Sequence, residues 1–494
     1  MFQNSKLKFL TEDKYTLSDI FIKNVEILLL MPLFLYILTP LIHICVYTFT
    51  ARPAESLSEF MLIASAGHKP GDYYIAIIDV AMILAVPFTL VAVISYFISQ
   101  KQSKIKRPVS EYIPLCFFAV FCLLIIASTI ANGGLPIELM LGRTHWGEGL
   151  LTVFAYFLIF YLCASLVSKE KYKYAVIYSI LAISMTVGIL TLVNKYVYDI
   201  PTLENEEISG IFWDFNFYGY FLTISIMLSA ALAISEPKKS RRVFAIIMFV
   251  MNSFILAVNN TLGCFVACLV AFIFMIIAQS LRKGKFSFSA LILFTAFLLI
   301  SFTVSLFYES FFTQLIGLFT DVNRIVSKSE DAASAGTARW GLWIETVKCI
   351  KEKPFIGHGF DGIAERLEEA TTSEKVHNEY LMYAAFFGIP AAIIYIAGLI
   401  SIYIKALIKR KKVDNATFCC LVAAFGYIGS AFFGNAIIYT VPFFYILLGL
   451  ANTINDTAES HAKLSDDTSK DIVANTEIDN TITVETEKCE NSNP

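Results

Sequence analysis

Four short polar segments interrupt an otherwise apolar chain. They are Gly142-Arg143-Thr144-His145-Trp146-Gly147-Glu148-Gly149, Gly210-Ile211-Phe212-Trp213-Asp214-Phe215-Asn216-Phe217, Gly336-Thr337-Ala338-Arg339-Trp340 and His377-Asn378-Glu379-Tyr380-Leu381. Their residue types suit proton abstraction from a hydroxyl and binding of phosphate oxygens. An unperturbed imidazole has a pKa near ~6.5, so His377 can take a proton from a hydroxyl at neutral pH. Arg339 offers a planar guanidinium that forks onto phosphate oxygens. The same fork also suits lipid headgroup phosphates, and Arg339 sits beside two tryptophans. Arg143 and Arg324 are further cationic candidates. Asn216, Asn378, Tyr380 and Trp340 flank these groups as candidate substrate-binding residues. His358 is the rival base, but Gly357-His358-Gly359-Phe360-Asp361-Gly362 reads more readily as a tight turn. His43 and His68 have no comparable company.

The elements that must position these residues are membrane helices. Of the 494 residues, 57% are apolar and only 16% are charged, against roughly 25% charged in a soluble domain. The apolar residues come in runs of about twenty, the length that crosses a bilayer core as helix. This pattern excludes a soluble enzyme, a secreted disulfide scaffold and a nucleic-acid-binding domain. The expected class is all-α, a polytopic membrane protein of about twelve spans. They lie near 25–48, 73–99, 111–131, 149–168, 174–198, 215–235, 243–258, 260–281, 286–308, 377–404, 416–434 and 436–454. The ten cysteines form no Cys-x-x-Cys pair, so no zinc site or disulfide framework is expected. The N-terminus lacks a convincing cleavable signal.

Basic residues set the expected orientation. Alternate loops and the N-terminus hold 23 Lys and Arg, while the opposite short loops hold only Arg52, Lys69 and Arg143. Both termini are therefore expected in the cytoplasm. This divides the chain into a bundle of about nine spans (1–308), a large external loop (309–376), three further spans (377–455) and a tail (456–494). The loop is 68 residues long, and long loops cross despite their charge. Within it, Trp340, Trp343, Ile344, Val347 and Ile350 recur at helical spacing. They predict a helix over 338–352 that lies on the membrane surface and ends at Pro354. The tail has ten acidic and three basic residues and too little apolar content to fold.

The run Arg339-Trp340 to Pro354-Phe355-Ile356-Gly357-His358-Gly359, His377-Asn378-Glu379-Tyr380-Leu381 and Gly388 resembles the signature of the O-antigen ligase and polymerase superfamily. The segments around Arg143 and Asn216 resemble that family's earlier motifs, and the similarity covers most of 140–450. The resemblance implies a glycosyltransferase of the bacterial cytoplasmic membrane acting on its outer side. The donor would be an undecaprenyl diphosphate-linked glycan, and the acceptor a hydroxyl of a glycan, lipid or protein. Membrane lipid is the other implied partner; no nucleic acid, metal or cofactor is. His377 takes the acceptor-activating role and Arg339 the diphosphate-binding role. One position departs: many members carry an arginine before the glycine that is here Gly263, where this chain has Leu262. Either Arg143 or Arg324 supplies that charge, or the donor is held differently.

The rival reading is a lipid-linked glycan flippase or another twelve-span transporter. Transporters commonly show two related halves and ionisable residues near mid-membrane. Neither pattern is evident in this sequence. The orientation is testable directly: Ser334→Cys should react with an impermeant thiol reagent in intact cells. Protection there, with labelling of Ser240→Cys instead, would invert the topology.

Overall fold

A computed structural model of the chain describes residues 30–43, scattered positions between 77 and 94, and 109–134, 139–140, 148–167, 169–197, 208–212, 214–308, 310–327, 333–371 and 373–453. These residues are helical without strands, and the chain is a polytopic membrane protein. The ends of the first expected span, most of the second, the tail 456–494, and Arg143, Trp146 and Trp213 lie outside the described residues.

The helices are numbered along the described chain. The first seven are α1 (Val109–Ala131), α2 (Leu150–Leu166), α3 (Glu170–Tyr196), α4 (Phe215–Ser235), α5 (Lys239–Asn259), α6 (Leu262–Lys283) and α7 (Phe288–Phe307). Then come α8 (Ser310–Val326), α9 (Arg339–Glu352), α10 (Ala364–Thr371), α11 (Glu379–Phe387), α12 (Ile389–Ile408), α13 (Asn415–Ala431) and α14 (Val441–Asn452). Seven of them, α1, α3 to α7 and α12, are long and apolar enough to cross a membrane. The apolar helices α2, α13 and α14 are shorter.

Helix α4 is the hub. It is buried nearly along its whole length and packs against α5 and α13, while α14 packs on α2 and α12 on α1. Its sequence suits that place, with Gly219, Ser225, Ser229, Ala230 and Ala231 among larger apolar residues, since small residues let membrane helices approach closely. The apolar stretch that runs almost unbroken from 243 to 281 is divided at Asn260. That residue takes a left-handed conformation, φ 65°, and its backbone N–H closes α5 on the Leu256 carbonyl at 3.0 Å. Asparagine tolerates this region better than most residues.

Two expectations need correction. The span expected over 377–404 is two helices, because Gly388 takes φ 90° and Pro390 follows. A proline cannot donate to the preceding turn, so the ladder breaks there. The loop satisfies the groups this break frees. The N–H groups of His358, Gly359 and Ile389 bond the carbonyls of Ala385, Phe386 and Pro354 at 2.9, 2.8 and 2.8 Å. Ser128 and Asn132 of the α1 end add bonds to the carbonyls of Phe386 and Gly357 at 2.9 and 3.1 Å. A Cβ on Gly357 would overlap the Phe386 carbonyl, and one on Gly388 the Phe355 carbonyl.

The second correction concerns α9. The helix forms as expected, but it buries Leu342, Thr346, Cys349 and Ile350, whereas Ile344 and Val347 are exposed. It packs against α11 rather than resting on lipid alone. Its charged face is also partnered: Arg366 of α10 binds Glu345 at 2.8 Å and Glu352 at 2.7 Å. Lys348 and Arg366 hold the Glu345 carboxyl below its ordinary range, and Arg366 does the same for Glu352.

The far end of the bundle is held by buried lysines. Lys173 donates to Asp414 at 3.1 Å, Thr417 at 2.6 Å and the Thr453 carbonyl at 2.6 Å. Lys405 binds Asn452 through both its carbonyl and its side chain. The open carbonyls at the end of α14 thus meet cations, as the helix dipole favours. Asp414 also caps α13, accepting from Thr417 N–H at 2.7 Å. Removing one member of a buried pair leaves the other charge stranded, at a cost of about 3–5 kcal/mol. Lys173→Ala should therefore lower the thermal midpoint of the detergent-purified protein far more than Lys348→Ala, whose bond is exposed. Equal midpoints for the two variants would refute this role for Lys173.

Candidate active site

At the other end of the bundle the starts of α4, α6, α9, α11 and α14 meet. Asp214 caps α4, its Oδ1 accepting from Asn216 N–H at 2.7 Å and from the Asn216 side-chain amide at 2.8 Å. These bonds tie the Asn216 backbone N–H and side-chain nitrogen to Asp214 and turn its Oδ1 toward α9. There Arg339 Nη2 meets it at 3.4 Å.

Arg339 is the first residue of α9 and follows three consecutive left-handed residues, Gly336, Thr337 and Ala338, with φ 64°, 56° and 67°. Only glycine adopts that conformation freely; the other two cost of order 1–3 kcal/mol each. Asp321 of α8 holds the turn by accepting from Gly336 N–H at 2.9 Å. The turn swings the guanidinium off the loop and toward the start of α4.

His377 lies ahead of the first turn of α11, outside the helices, and is also left-handed, with φ 53°. Two contacts with buried Asn435 keep it there: His377 N–H donates to Asn435 Oδ1 at 2.8 Å, and Asn435 Nδ2 lies 3.4 Å from ring Nδ1. Burial, with the nearby Arg339 charge, pushes the imidazole down to about 4. The ring is therefore neutral at physiological pH and would charge only as the pH falls through that value. Just before it, Lys375 forms a buried ion pair with Asp361 at 3.1 Å. Glu148 joins this cluster from the first polar segment. Its carboxyl is raised to about 8 by burial, against the pull of Lys375, and takes a hydrogen bond from Tyr156 at 3.3 Å.

Arg339, His377 and Asn216 thus come together. The other expected residues divide. Asn378 is spent on capping α11, accepting from Leu381 N–H at 3.0 Å. Tyr380 points into the bundle and donates to the Ile428 carbonyl at 2.7 Å. Trp340 meets Trp343 edge to face at 6.4 Å, and Trp343 in turn meets Phe432. Arg324 is exposed on α8, pairs with Asp321 at 3.4 Å, and borders the Arg339 turn rather than the His377 ring. His358 has a structural place, with its Nε2 2.9 Å from the Cys349 carbonyl at the end of α9. Leu262 opens α6, and Gly263 abuts Phe433, two residues from Asn435. The position that lacks the family's charge therefore borders the site.

Sequence reasoning missed Asn435 and Tyr220. The Tyr220 hydroxyl fills the space a Cβ on Gly434 would need. The only signal was a Gly434-Asn435 pair between two apolar runs, which reads as an ordinary turn.

Among curated proteins, none matches the chain. Residues 246–396 match the family model described as O-antigen ligase, a stretch from within α5 into α12. That match supports placing the chain in the O-antigen ligase superfamily, on the segment that carries both Arg339 and His377.

Proposed function

We propose that this protein transfers a glycan from an undecaprenyl diphosphate carrier to an acceptor hydroxyl on the outer side of the bacterial cytoplasmic membrane. The family match and the membrane-spanning helices support the coarser reading, a membrane glycan ligase or polymerase. The finer reading rests on one observation: Arg339 and His377, far apart in sequence, stand together at the end of the bundle that carries the 309–376 loop. Arg339 binds the diphosphate, stabilising the negative charge that grows as the glycosyl–oxygen bond breaks. His377 completes the centre beside it, and Asn216 orients the guanidinium. Arg143 and Arg324 serve as outer cations on the path of the anionic carrier. No metal or nucleotide enters this scheme. On this reading the end with the basic residues beside Lys173, Arg242 and Arg282 faces the cytoplasm, as do both termini.

The assay is transfer from purified undecaprenyl diphosphate glycan in liposomes. His377→Ala should reduce transfer by about 10²–10⁴-fold at normal abundance. His358→Ala should instead act through stability, because its ring holds the end of α9. A dead His358→Ala enzyme with a normal melting profile, together with an active His377→Ala enzyme, would reverse the assignment.

Arg339 separates diphosphate binding from membrane anchoring. Its planar fork matters for bidentate phosphate recognition, so Arg339→Lys should lose much of the activity and Arg339→Ala nearly all. An anchor would tolerate lysine, which also snorkels to headgroups. Full activity in both variants would remove Arg339 from the site.

A further inference from the structure

We propose that α8 is an interfacial helix whose apolar side lies in the acyl chains of the outer leaflet, and that through Asp321 it sets the depth of Arg339 against the membrane surface. The lipid contact stands on geometry; the leaflet and the depth role rest on the function proposed above.

The residues of α8 separate into sides. At about 100° per residue, Phe319, Val322 and Val326 share one narrow arc, with Ile316 at its margin. All four are exposed, from 51% at Val322 to 75% at Val326. Thr320, Asn323 and Arg324 run beside them, also exposed. Leu318, Asp321 and Ile325 are half-buried and turn toward the protein. An outward apolar arc with polar residues beside it is the pattern of a helix lying in the plane of a bilayer surface.

Continuity with α7 identifies lipid as what covers the arc. Helix α7 ends at Phe307 and α8 begins at Ser310, a link that spans at most about 11 Å. So α8 starts at the level where α7 leaves the membrane, and it packs on α6 and α7. Helix α7 is long and apolar enough to cross a membrane, and its last turns leave Phe302, Leu306 and Phe307 exposed. The arc of α8 therefore begins at the edge of a surface that already faces lipid. The surface place expected of α9 falls to α8, whose apolar side stays exposed among the described residues.

The inward side carries the coupling. Asp321 lies across the helix from Phe319 and accepts from Gly336 N–H at 2.9 Å. Gly336 opens the left-handed turn that places Arg339. Seating the arc in lipid fixes Asp321, and Asp321 holds the turn. The donor's diphosphate hangs from a lipid tail, so its depth is set by the bilayer. Arg339 meets it only if the guanidinium is referred to the same surface, and α8 supplies that reference. Arg339 is the group that touches phosphate; Asp321 and the apolar arc are positioning residues.

The test uses the full chain in liposomes. Phe319→p-benzoylphenylalanine, activated by light, should form adducts with lipid acyl chains, and Thr320→p-benzoylphenylalanine far fewer, as read by mass spectrometry. Adducts to a second copy of the chain in place of lipid, or equal lipid yields at both positions, would overturn the lipid contact. The positioning role has its own reading. Phe319→Ser with Val326→Ser should lower transfer from a bilayer-borne undecaprenyl diphosphate glycan at least about tenfold, the scale of one lost apolar burial. The loss should fall chiefly on KM for the donor, with the thermal midpoint in detergent unchanged. Phe319→Leu with Val326→Leu keeps the arc apolar and should retain transfer. Undiminished transfer in the serine pair, or an equal loss in the leucine pair, would overturn the role. If the serine pair fails to insert, the adducts and the leucine pair decide. A wild-type chain that transfers no glycan while position 319 still labels lipid would sink the proposed function and leave the lipid contact standing.

Discussion

The site depends on how the chain satisfies the backbone groups that open at Gly388. Inside a bilayer an unpaired carbonyl or N–H is costly, so broken helices survive only where protein re-satisfies them. Here the loop supplies the missing partners: the N–H groups of His358 and Gly359 take the last carbonyls of α11, and the Pro354 carbonyl takes Ile389 N–H. Two glycines make this possible, since a side chain on either would strike the other strand of the contact. The same interlock ties the end of α9 to the start of α12. It fixes the frame between Arg339, at one end of the loop's helix, and His377, at the start of the broken span.

Backbone strain gathers at this frame. Thr337, Ala338, Asp361 and His377 are all left-handed without being glycine. Each is paid for by a neighbour that uses the unusual geometry. Asp321 holds the turn before Arg339, Lys375 pairs with Asp361, and Asn435 holds His377. A relaxed helical entry would carry the His377 ring around with the first turn of α11, away from Asn435. The cost of each residue is of order 1–3 kcal/mol, which the buried polar contacts offset. A single glycine at 377 would relieve the strain but would have no ring.

Much of this was legible in the sequence. Run length and charge poverty gave the helical membrane class, and turn residues marked the loop's organisation. Proline and glycine spacing gave the end of α9. Arg339, His377 and Asn216 were legible because charged and amide side chains are conspicuous among apolar residues. What escaped depends on distance in sequence. Nothing local to Asn435 tells that its carboxamide meets a histidine 58 residues earlier. Nor does periodicity say which side of α9 is covered. Its apolar stripe was readable, but the buried side is set by α11 and α10, so Leu342 and Cys349 go inward while Ile344 stays out. The break at Gly388 was hidden for a similar reason. A glycine and a proline within a long apolar run are tolerated in membrane helices, and only the facing loop turns them into a break.

Two of the loop's three guanidinium groups, Arg366 and Arg339, show how the structure separates support from chemistry. Arg366 is consumed: two carboxylates neutralise it, and it clamps α10 to α9. Arg339, one end of α9 away, makes no ion pair with any described residue. The nearest carboxylate on its α4 side, Asp214, is spent on the N–H groups of Asn216 and reaches Arg339 only through that neutral amide. An amide carbonyl orients a guanidinium without cancelling its charge. A direct carboxylate would cancel it, and an incoming diphosphate would then have to displace a bound anion before gaining a new one. Inserting Asn216 between Asp214 and Arg339 keeps the cation aimed and unneutralised, which is the electrostatic condition for binding an anion in a water-poor site.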